Sequence, residues 1–342
     1  MELDKIDKNL LNIIQAEFPL SREPFVALGL LLNTGSDEVM RRIEQLKTRR
    51  IIRFIGPVFN PKRLGYRTTL AAMKVPAERV NEAGQIISIH PMASHCYERD
   101  HKFNLWFTLA MSGAEDIETE VQNLGSKVKA EAILNLPAMR IFKVGAFFNL
   151  GRSKSQLSLR AKRGNLNTTH PHQDCFVAHA PRNDNKLSIT DRAVINESQQ
   201  DLPLIEKPFD RISARLSMKP DEFLSHCQAL LQRGIMRRFS ASVSHNQLGF
   251  TANAMACWRV SSDMVETAGK IIAMFPEVSH CYERRINSAW HYNLFAMIHA
   301  EAKETCRAIA DKICSQTGLD RHELILLFST REIKKTRVRY TV

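Results

Sequence analysis

The 342-residue chain has few cysteines and no long hydrophobic run. No stretch approaches the roughly 18 uncharged apolar residues that a membrane span requires, and the opening segment MELDKIDKNL lacks the apolar core of a signal peptide. The seven cysteines are an odd number and include no CxxC pair, which argues against a disulfide framework or a zinc ribbon. We therefore expect a cytoplasmic protein without membrane contact, in which Cys96, Cys257 and Cys281 are packing residues.

A formal net charge of +12 would ordinarily favour nucleic-acid binding. The excess is concentrated in two segments. Residues 151–185 contain six Lys and Arg against two Asp, and residues 331–342 contain five Lys and Arg against one Glu. These two short segments supply two thirds of the net positive charge, which weakens the case for a dedicated nucleic-acid surface.

The sequence is an internal repeat. The hexapeptide SHCYER occurs at 94–99 and again at 279–284, and Leu64-Gly65 matches Leu248-Gly249 at an offset of 184 residues. The second copy contains a four-residue insertion within RINSAWH. A six-residue identity between two otherwise diverged halves indicates a duplication, so we predict two copies of one two-domain unit.

The spacing of apolar residues along the sequence changes part-way through each copy. Residues 4–60 show the spacing of amphipathic helices around a short turn, whereas the segment from Thr68 reads as strand, helix, strand, strand, helix, strand. The predicted fold class is α+β, a tandem repeat of a helix-turn-helix (winged-helix-like) domain followed by a ferredoxin-like βαββαβ domain. The predicted boundaries are 1–60 and 61–148 for the first copy, 149–188 for a flexible linker, and 189–245 and 246–342 for the second copy.

The candidate DNA-reading helix begins with two acidic residues in both copies. A recognition helix usually presents Arg, Lys, Asn or Gln at its N-terminal end, where it meets phosphates and base edges. Asp37-Glu38 and Asp221-Glu222 stand there instead, and carboxylates repel phosphate although they stabilise the helix dipole. We therefore expect no specific DNA binding.

The repeated hexapeptide places three polar side chains on one face of a strand, because successive side chains alternate between faces. In the first copy they are His95, Tyr97 and Arg99, and in the second copy His280, Tyr282 and Arg284. Such groups are costly to bury beside strands as apolar as LWFTLAM unless they bond to a ligand or to one another. A solvated surface with an ordinary core histidine is the alternative, and the recurrence in both copies favours a ligand site.

These features resemble a known family. The opening LDKIDKNLLNIIQ, the segment RRIIRFIGPVFNPKRLGY and the βαββαβ pattern resemble the Lrp/AsnC group of regulators. The signatures SHCYERDHKFNLWFT and LPAMRIFKVG resemble its enzymatic branch, the siroheme decarboxylases. The resemblance covers nearly all of 1–150 and 190–342 and lapses in the predicted linker.

The resemblance implies an activity and an architecture. The activity is the non-oxidative removal of two acetate carboxyl groups from siroheme, in heme biosynthesis, without an added cofactor because siroheme carries its own iron. The architecture is a pseudo-dimer in which two subunits that usually pair are fused in one chain and can assemble further with copies of that chain. We expect the two sheets of the pseudo-dimer to face each other.

The implied substrate is a flat macrocycle ringed by carboxylates, which needs an apolar slot with Arg and Lys at its rim. Histidine suits proton transfer to the new methyl carbon because its pKa lies near neutrality. The candidate catalytic residues are His95, Tyr97, His101, His280, Tyr282 and His291. The candidate substrate-binding residues are Arg99, Asn104, Trp106, Arg140, Lys143, Arg284, Arg285, Asn293, Arg331 and Lys334. No protein metal site is predicted, although a histidine could instead ligate the siroheme iron.

Several alternatives stay open at this point. Trp106 fits a core position as well as a ligand contact, and His101 and Trp290 fit ordinary turns as well as a lid over a planar ligand. A DNA-binding regulator of the Lrp/AsnC type and a non-catalytic tetrapyrrole sensor are the two other classes of function. The sensor would need the same pocket as the enzyme, so only a turnover assay separates these two.

Overall fold

The computed structural model describes residues 2–145, 147–151 and 186–342. Most of the predicted linker lies outside the described residues, so its flexibility stays a prediction. The chain divides into two compact units, one comprising Met1–Val58 with Phe147–Ser244 and the other comprising Phe59–Ala146 with His245–Val342. Like domains are therefore grouped: the first unit holds both helix-turn-helix domains and the second holds both ferredoxin-like domains.

The two copies have the same order of helices and strands, which confirms the tandem repeat. The first copy contains α1 (Lys5–Ala16), α2 (Pro24–Leu32), α3 (Ser36–Thr48), β1 (Ile52–Phe59), β2 (Tyr66–Lys74), α4 (Val80–Ile89), β3 (Ala93–Arg99), β4 (Leu105–Ser112), α5 (Ile117–Val128) and β5 (Ala132–Val144). The second copy contains α6 (Ile189–Ser198), α7 (Pro208–Arg215), α8 (Pro220–Gln232), β6 (Met236–Val243), β7 (Ala252–Trp258), α9 (Val265–Met274), β8 (Val278–Arg284), β9 (Leu294–Ala300), α10 (Lys303–Thr317) and β10 (Leu324–Lys335).

Aromatic packing joins the two helical domains of the first unit. The Phe18 ring meets Phe25 of its own copy at a centroid distance of 5.9 Å and Phe239 of the other copy at 6.1 Å. Phe239 in turn meets Phe209 at 5.7 Å. Strands β1 and β6 pair in a two-stranded sheet, so the two helical domains share a core and a sheet.

The second unit is a closed eight-stranded barrel built from two ferredoxin-like sheets. The first copy contributes the strand order β3-β4-β2-β5 and the second copy the matching order β8-β9-β7-β10. The long last strand of each copy crosses to the other copy, since β5 pairs with β8 and β10 pairs with β3. These reciprocal pairings confirm the predicted pseudo-dimer, and its two sheets are continuous at their edges as well as facing each other.

Two apolar layers hold the first copy's sheet in place. The outer face carries Cys96 and Phe107, which pack under α4 and α5. The inner face carries Trp106, which packs with Cys257 and Phe295 of the second copy in the barrel interior. The predicted packing role of Cys96, Cys257 and Cys281 is confirmed, because all three are buried and free, and burial raises the pKa of Cys96 to about 12.

The barrel has two distinct ends. Strands β3 and β8 begin at the same end, which we call the histidine end because His95 and His280 lie there. They finish at the other end, which we call the tryptophan end because Trp290 fills it. The Trp290 ring packs against Phe103 and Trp106 at centroid distances of 6.2 and 5.3 Å. In the described part of the chain, no helix combines the length and apolar character needed to cross a bilayer.

Candidate active site

Two His-Tyr pairs lie at the histidine end of the barrel. The rings of His95 and Tyr97 are nearly parallel with centroids 6.4 Å apart, and those of His280 and Tyr282 are nearly parallel at 6.1 Å. All four side chains are half-buried. The predicted sharing of one strand face is therefore confirmed in both copies.

A buried arginine follows each His-Tyr pair into the barrel. Arg99 and Arg284 are 5% and 8% exposed, and their guanidinium groups lie 5.6 and 4.7 Å from the ring centroids of Tyr97 and Tyr282. Arg99 donates a 2.7 Å hydrogen bond to the Leu327 carbonyl, and the Arg284 bond to the Leu136 carbonyl is also 2.7 Å. Each arginine thus ties its strand to a strand of the other copy.

Burial lowers the pKa of both arginines to about 10, which still leaves them protonated near neutrality. Among the described residues, neither Arg99 nor Arg284 forms an ion pair with a carboxylate, and the Nε atom of each is buried without a hydrogen-bond partner. Two positive charges without a counter-ion inside the barrel create a potential that favours an anionic ligand.

The four predicted basic residues of the two last strands lie on the other face of the sheet. Arg140 pairs with Glu283, and Arg331 pairs with Glu98, with N–O distances of 3.0 Å in both cases. The amino groups of Lys143 and Lys334 donate to the carbonyls that follow α9 and α4, those of Phe275 and His90.

Arg140, Lys143, Arg331 and Lys334 therefore do not converge with the histidines on one face of the sheet, which corrects that expectation, while their contact with the substrate stays a prediction. Residues 140 and 143 share the helix-covered face, although they are three apart, because the register shifts between Ile141 and Lys143. The same shift occurs between Glu332 and Lys334 in β10. A bulge of this kind cannot be recognised from strict alternation.

The residues that do share the face of the His-Tyr pairs differ between the copies. Across from Tyr282 and His280, β5 presents Ile141 and Val144. At the matching positions across from Tyr97 and His95, β10 presents Glu332 and Lys335. The Tyr97 hydroxyl donates to Glu332 at 3.2 Å. One His-Tyr pair therefore has apolar neighbours and the other has charged ones.

Five predicted site residues lie at the tryptophan end, beyond the His-Tyr pairs: His101, Asn104, Arg285, His291 and Asn293. A sixth, Trp106, lies directly opposite Tyr97 in the pairing of β3 with β4. Asn104 and Asn293 each bond both the amide and the carbonyl of one residue, Val75 and Val260 respectively. The Trp106 indole donates to the Phe103 carbonyl at 2.7 Å. The structure therefore brings Trp106 next to a His-Tyr pair, and it does not bring the other five together with His95 or His280.

Of the two interpretations that the sequence leaves open for His101 and Trp290, the structure favours ordinary turn residues over a lid. Trp290 is 2% exposed, and its ring meets the edge of the His101 ring at 5.6 Å. Burial lowers the pKa of His101, and its Nδ1 accepts a hydrogen bond from the Phe103 amide. Both side chains serve to close the tryptophan end.

A chain of polar groups extends inward from His280. The Ser279 hydroxyl lies 2.9 Å from His280 Nδ1 and 2.9 Å from His299 Nε2. The His299 and His245 rings are in contact with centroids 5.1 Å apart, and Lys335 Nζ lies 2.9 Å from His245 Nδ1. Burial, followed by the neighbouring cationic groups, holds the pKa of His299 well below its ordinary value.

The first copy lacks this chain. Ser94 lies 2.9 Å from His95 Nδ1 but continues only to the Thr108 hydroxyl, at 2.8 Å. In the repeat alignment, Ala110 and Pro61 occupy the positions of His299 and His245. His245 and His299 were not predicted from the sequence, because only residues identical in the two copies were taken as candidates. A search for positions at which only one copy is polar would have found them.

Two family models match both copies of the repeat. The AsnC-like ligand binding domain matches residues 63–143 and 247–334, and the siroheme decarboxylase NirDL-like HTH domain matches residues 7–53 and 191–237. The siroheme decarboxylase of Hydrogenobacter thermophilus is 35% identical to this chain over 340 residues, which span 99% of this chain and 95% of that protein. The chain belongs to the siroheme decarboxylase family. The resemblance drawn from the two signatures is confirmed.

Siroheme decarboxylases include separate subunits as well as two-copy chains. The siroheme decarboxylase beta subunit of Methanosarcina barkeri is 41% identical over 150 residues, which span 44% of this chain and 97% of that subunit. The crystal structure of the siroheme decarboxylase NirDL in complex with an iron-uroporphyrin III analogue matches with a TM-score of 0.68 and 31% identity, covering 99% of this chain and 95% of that one. Within the siroheme decarboxylase family, this chain therefore has the fused arrangement.

Proposed function

We propose that this chain is a siroheme decarboxylase, a carboxy-lyase that converts two acetate arms of siroheme to methyl groups at the histidine end of its barrel. The observation that carries the proposal is the pair of His-Tyr faces backed by Arg99 and Arg284, two buried cations without a counter-ion among the described residues. The structural similarity to NirDL, which has been crystallised with a related iron tetrapyrrole, supports it.

The chemistry asks for a proton donor and for charge stabilisation. When an acetate arm loses carbon dioxide, the bond between its methylene and carboxyl carbons breaks, and the electron pair stays on the methylene carbon. The conjugated ring delocalises this charge, and one proton then completes the methyl group. A half-buried histidine next to a tyrosine is suited to deliver that proton near neutral pH.

The sheet face that carries the His-Tyr pairs also accounts for the binding of siroheme. The carboxylates of siroheme that are not removed are attracted by the buried charges of Arg99 and Arg284 and by the ammonium group of Lys335. The apolar macrocycle suits the neighbourhood of Ile141 and Val144, where it displaces water from two aliphatic side chains. Arg140, Lys143, Arg331 and Lys334 have no part in this proposal because they are paired on the outer face.

The test is anaerobic incubation of the purified protein with siroheme, followed by mass analysis of the tetrapyrrole. We expect the loss of two carbon dioxide units per siroheme without any added cofactor. Tight binding of siroheme with no change in its mass would contradict the enzyme and favour the tetrapyrrole sensor. The cytoplasmic location expected from the sequence stays a prediction.

The two candidate DNA-reading helices, α3 and α8, offer little basic surface to DNA. Helix α8 contains no Lys or Arg. In α3, Glu38 accepts hydrogen bonds of 2.6 Å from both Arg41 and Arg42, and Arg42 also pairs with Asp4 and Asp7 at 2.7 Å. These arginines are therefore engaged within the fold, where they position their own helix rather than a phosphate.

We expect only weak, salt-sensitive association with duplex DNA, with dissociation constants of about 10⁻⁶ M or weaker at physiological salt. Fluorescence anisotropy with the promoter regions adjoining the gene and with a scrambled duplex measures this directly. The measurement should give the same affinity for both duplexes. Nanomolar binding that prefers one sequence would contradict the prediction and restore a regulatory role.

A further inference from the structure

A basic segment follows the last strand of the barrel. Residues 336–342, which we call the strap, read TRVRYTV and contain Arg337 and Arg339 but no acidic residue. They belong to one of the two segments in which the positive charge of the chain is concentrated. The course of the strap over the barrel determines what these two charges can bind.

The strap is attached at both of its ends to the first copy. At its start, the Thr336 amide donates a 2.8 Å hydrogen bond to the Ser94 carbonyl. Near its other end, the Tyr66 hydroxyl donates to the Thr341 carbonyl at 3.1 Å and accepts from the Thr341 amide at 2.9 Å. These contacts hold the strap in place although it forms neither helix nor strand.

Aromatic packing reinforces the second attachment. The Tyr340 ring meets the Tyr66 ring at a centroid distance of 4.9 Å and the Phe59 ring at 6.4 Å, in both cases edge to face. Tyr66 and Phe59 are buried. In the repeat alignment, the second copy has Phe250 at the position of Tyr66. The hydroxyl that holds the strap is therefore a feature of the first copy alone.

The strap crosses the histidine end of the barrel. Strands β10, β3, β4 and β2 are consecutive neighbours, so the path from the end of β10 to Tyr66 at the start of β2 passes β3 and β4. Three strand spacings of about 4.8 Å amount to about 14 Å, which the five residue steps from Thr336 to Thr341 span at about 3.3 Å each. This is the histidine end, because β10 finishes opposite His95 and β2 starts opposite Ser112, the last residue of β4.

The strap lies beside the inner face of the sheet. Tyr66 and Leu70 share one face of β2, since no register shift separates them, and Leu70 packs in the barrel interior. Lys335, the residue before the strap, lies opposite His95. The strap therefore borders the face that carries the first His-Tyr pair, and not the face that the helices cover.

The two arginines of the strap suit the rim of an acidic macrocycle. Arg339 is exposed, and none of the described carboxylates forms an ion pair with it. Arg337 is half-buried. A guanidinium group can bind a carboxylate through two parallel hydrogen bonds, which makes arginine the usual partner of such groups. A tetrapyrrole bound at the histidine end would carry its carboxylates at its edge, where the strap lies.

In the described part of the chain, the second half has no counterpart of the strap. The residues that follow β5 belong to the helical unit from Phe147 onward. Phe148, which corresponds to Arg339 in the repeat alignment, is buried, and its amide donates to Gln15 Oε1 at 3.1 Å. The same position is therefore apolar and buried in the first copy, and charged and exposed in the second.

We propose that the strap binds the substrate: Arg337 and Arg339 hold carboxylates of siroheme that the reaction does not remove, on the His95 side of the histidine end. The proposal rests on the decarboxylase function and adds two residues that select a carboxylate-rich tetrapyrrole. Tyr66 and Tyr340 are positioning residues, because they hold the strap across the end of the barrel.

The test is the affinity of the full-length protein for iron-uroporphyrin III, measured by absorption titration. Arg337→Gln/Arg339→Gln is expected to weaken binding about fivefold to thirtyfold at low ionic strength, the effect of two exposed charge contacts. The loss should shrink at high salt, which screens exposed charges. The control Arg259→Gln/Arg321→Gln removes two exposed arginines at the tryptophan end and should stay within about twofold of the wild type.

Two further variants separate carboxylate binding from a structural role. Arg337→Lys/Arg339→Lys keeps the charges and should recover most of the affinity. Tyr66→Phe introduces the residue of the second copy and loosens the strap, so it should weaken binding a few-fold in the wild type. In the Arg337→Gln/Arg339→Gln background it should have no further effect, because the two changes act on one interaction.

The outcomes separate the strap from the reaction. At saturating siroheme, Arg337→Gln/Arg339→Gln should keep its single-turnover rate within about threefold of the wild type, because the arginines hold groups that do not react. Wild-type affinity in this variant, or an equal loss in the tryptophan-end control, would overturn the proposal. A protein that needs both arginines to bind iron-uroporphyrin III but leaves the mass of siroheme unchanged would contradict the decarboxylase function and support the strap.

Discussion

The His280→Ala variant is expected to decarboxylate siroheme about 10²-fold to 10⁴-fold more slowly than the wild type while it still binds siroheme. The expectation follows from the position of His280, half-buried at the histidine end with Ser279 on its Nδ1 and an apolar neighbour in Val144. Removing a proton donor raises the barrier of the chemical step. The affinity depends mainly on Arg99, Arg284 and the macrocycle contacts, which this substitution leaves in place.

The measurement is the single-turnover rate together with a siroheme titration followed by its absorption spectrum. His322→Ala removes a histidine of the same unit that is exposed and distant in sequence from both His-Tyr pairs, and it should retain the wild-type rate. His95→Ala should mainly weaken binding, because His95 and Tyr97 lie opposite the charged side chains Lys335 and Glu332 rather than opposite aliphatic ones. A wild-type rate in His280→Ala, with a large loss in His95→Ala, would show that His95 rather than His280 is the proton donor.

Most of the fold could be predicted from the spacing of apolar residues and from the internal repeat. The change from helical spacing to short alternating strands near Thr68 predicts the two domain types, and the predicted order of strands and helices is the observed order from β2 to β5. The closed barrel could not be predicted in the same way. It depends on β5 and β10 each extending beyond their own sheet to pair with the other copy, and pairing partners are not encoded in the period of a strand.

The strand face of a site residue could be predicted where side chains alternate regularly along the strand. It could not be predicted where a register shift interrupts the alternation. Regular alternation from His95 to Arg99 placed the His-Tyr-Arg face correctly. In β5 the register shifts after Ile141, which places Lys143 on the helix-covered face. The amino-acid sequence of β5 contains no feature that predicts this shift. The charged neighbours of Tyr97 were missed for the same reason, since Glu332 reaches that face only through the matching shift in β10.

The differences between the two copies of the repeat indicate function, and a comparison limited to identical residues does not show them. Identical residues at matching positions, such as His95 and His280, show what both halves need for the shared architecture. The differences show where the halves diverge in chemistry: Ala110 against His299, and Val144 against Lys335. A fused chain can accumulate such differences in one half at a time, whereas a homodimer must change both halves together.

Trp290 is the second place where a single substitution should have a large effect. Its ring contacts His101, Phe103, Trp106 and Tyr292, so it joins the turn after β8 to the first copy's interior. The indole lies within the apolar cluster that fills the barrel between the two sheets. Trp290 lies in the segment RINSAWH, which contains the insertion of the second copy.

The Trp290→Ala variant is expected to lose about 3–5 kcal/mol of the free energy of unfolding, the usual cost of removing a large buried aromatic side chain and leaving a cavity. Urea denaturation followed by circular dichroism measures the loss, with Met274→Ala, which removes a 71% exposed side chain, expected to stay within about 0.5 kcal/mol of the wild type. At a temperature where it remains folded, Trp290→Ala should decarboxylate siroheme within a few-fold of the wild-type rate, because its ring lies at the end of the barrel away from His280. A loss below about 1 kcal/mol combined with a strong loss of siroheme binding would show instead that the ring contacts the substrate.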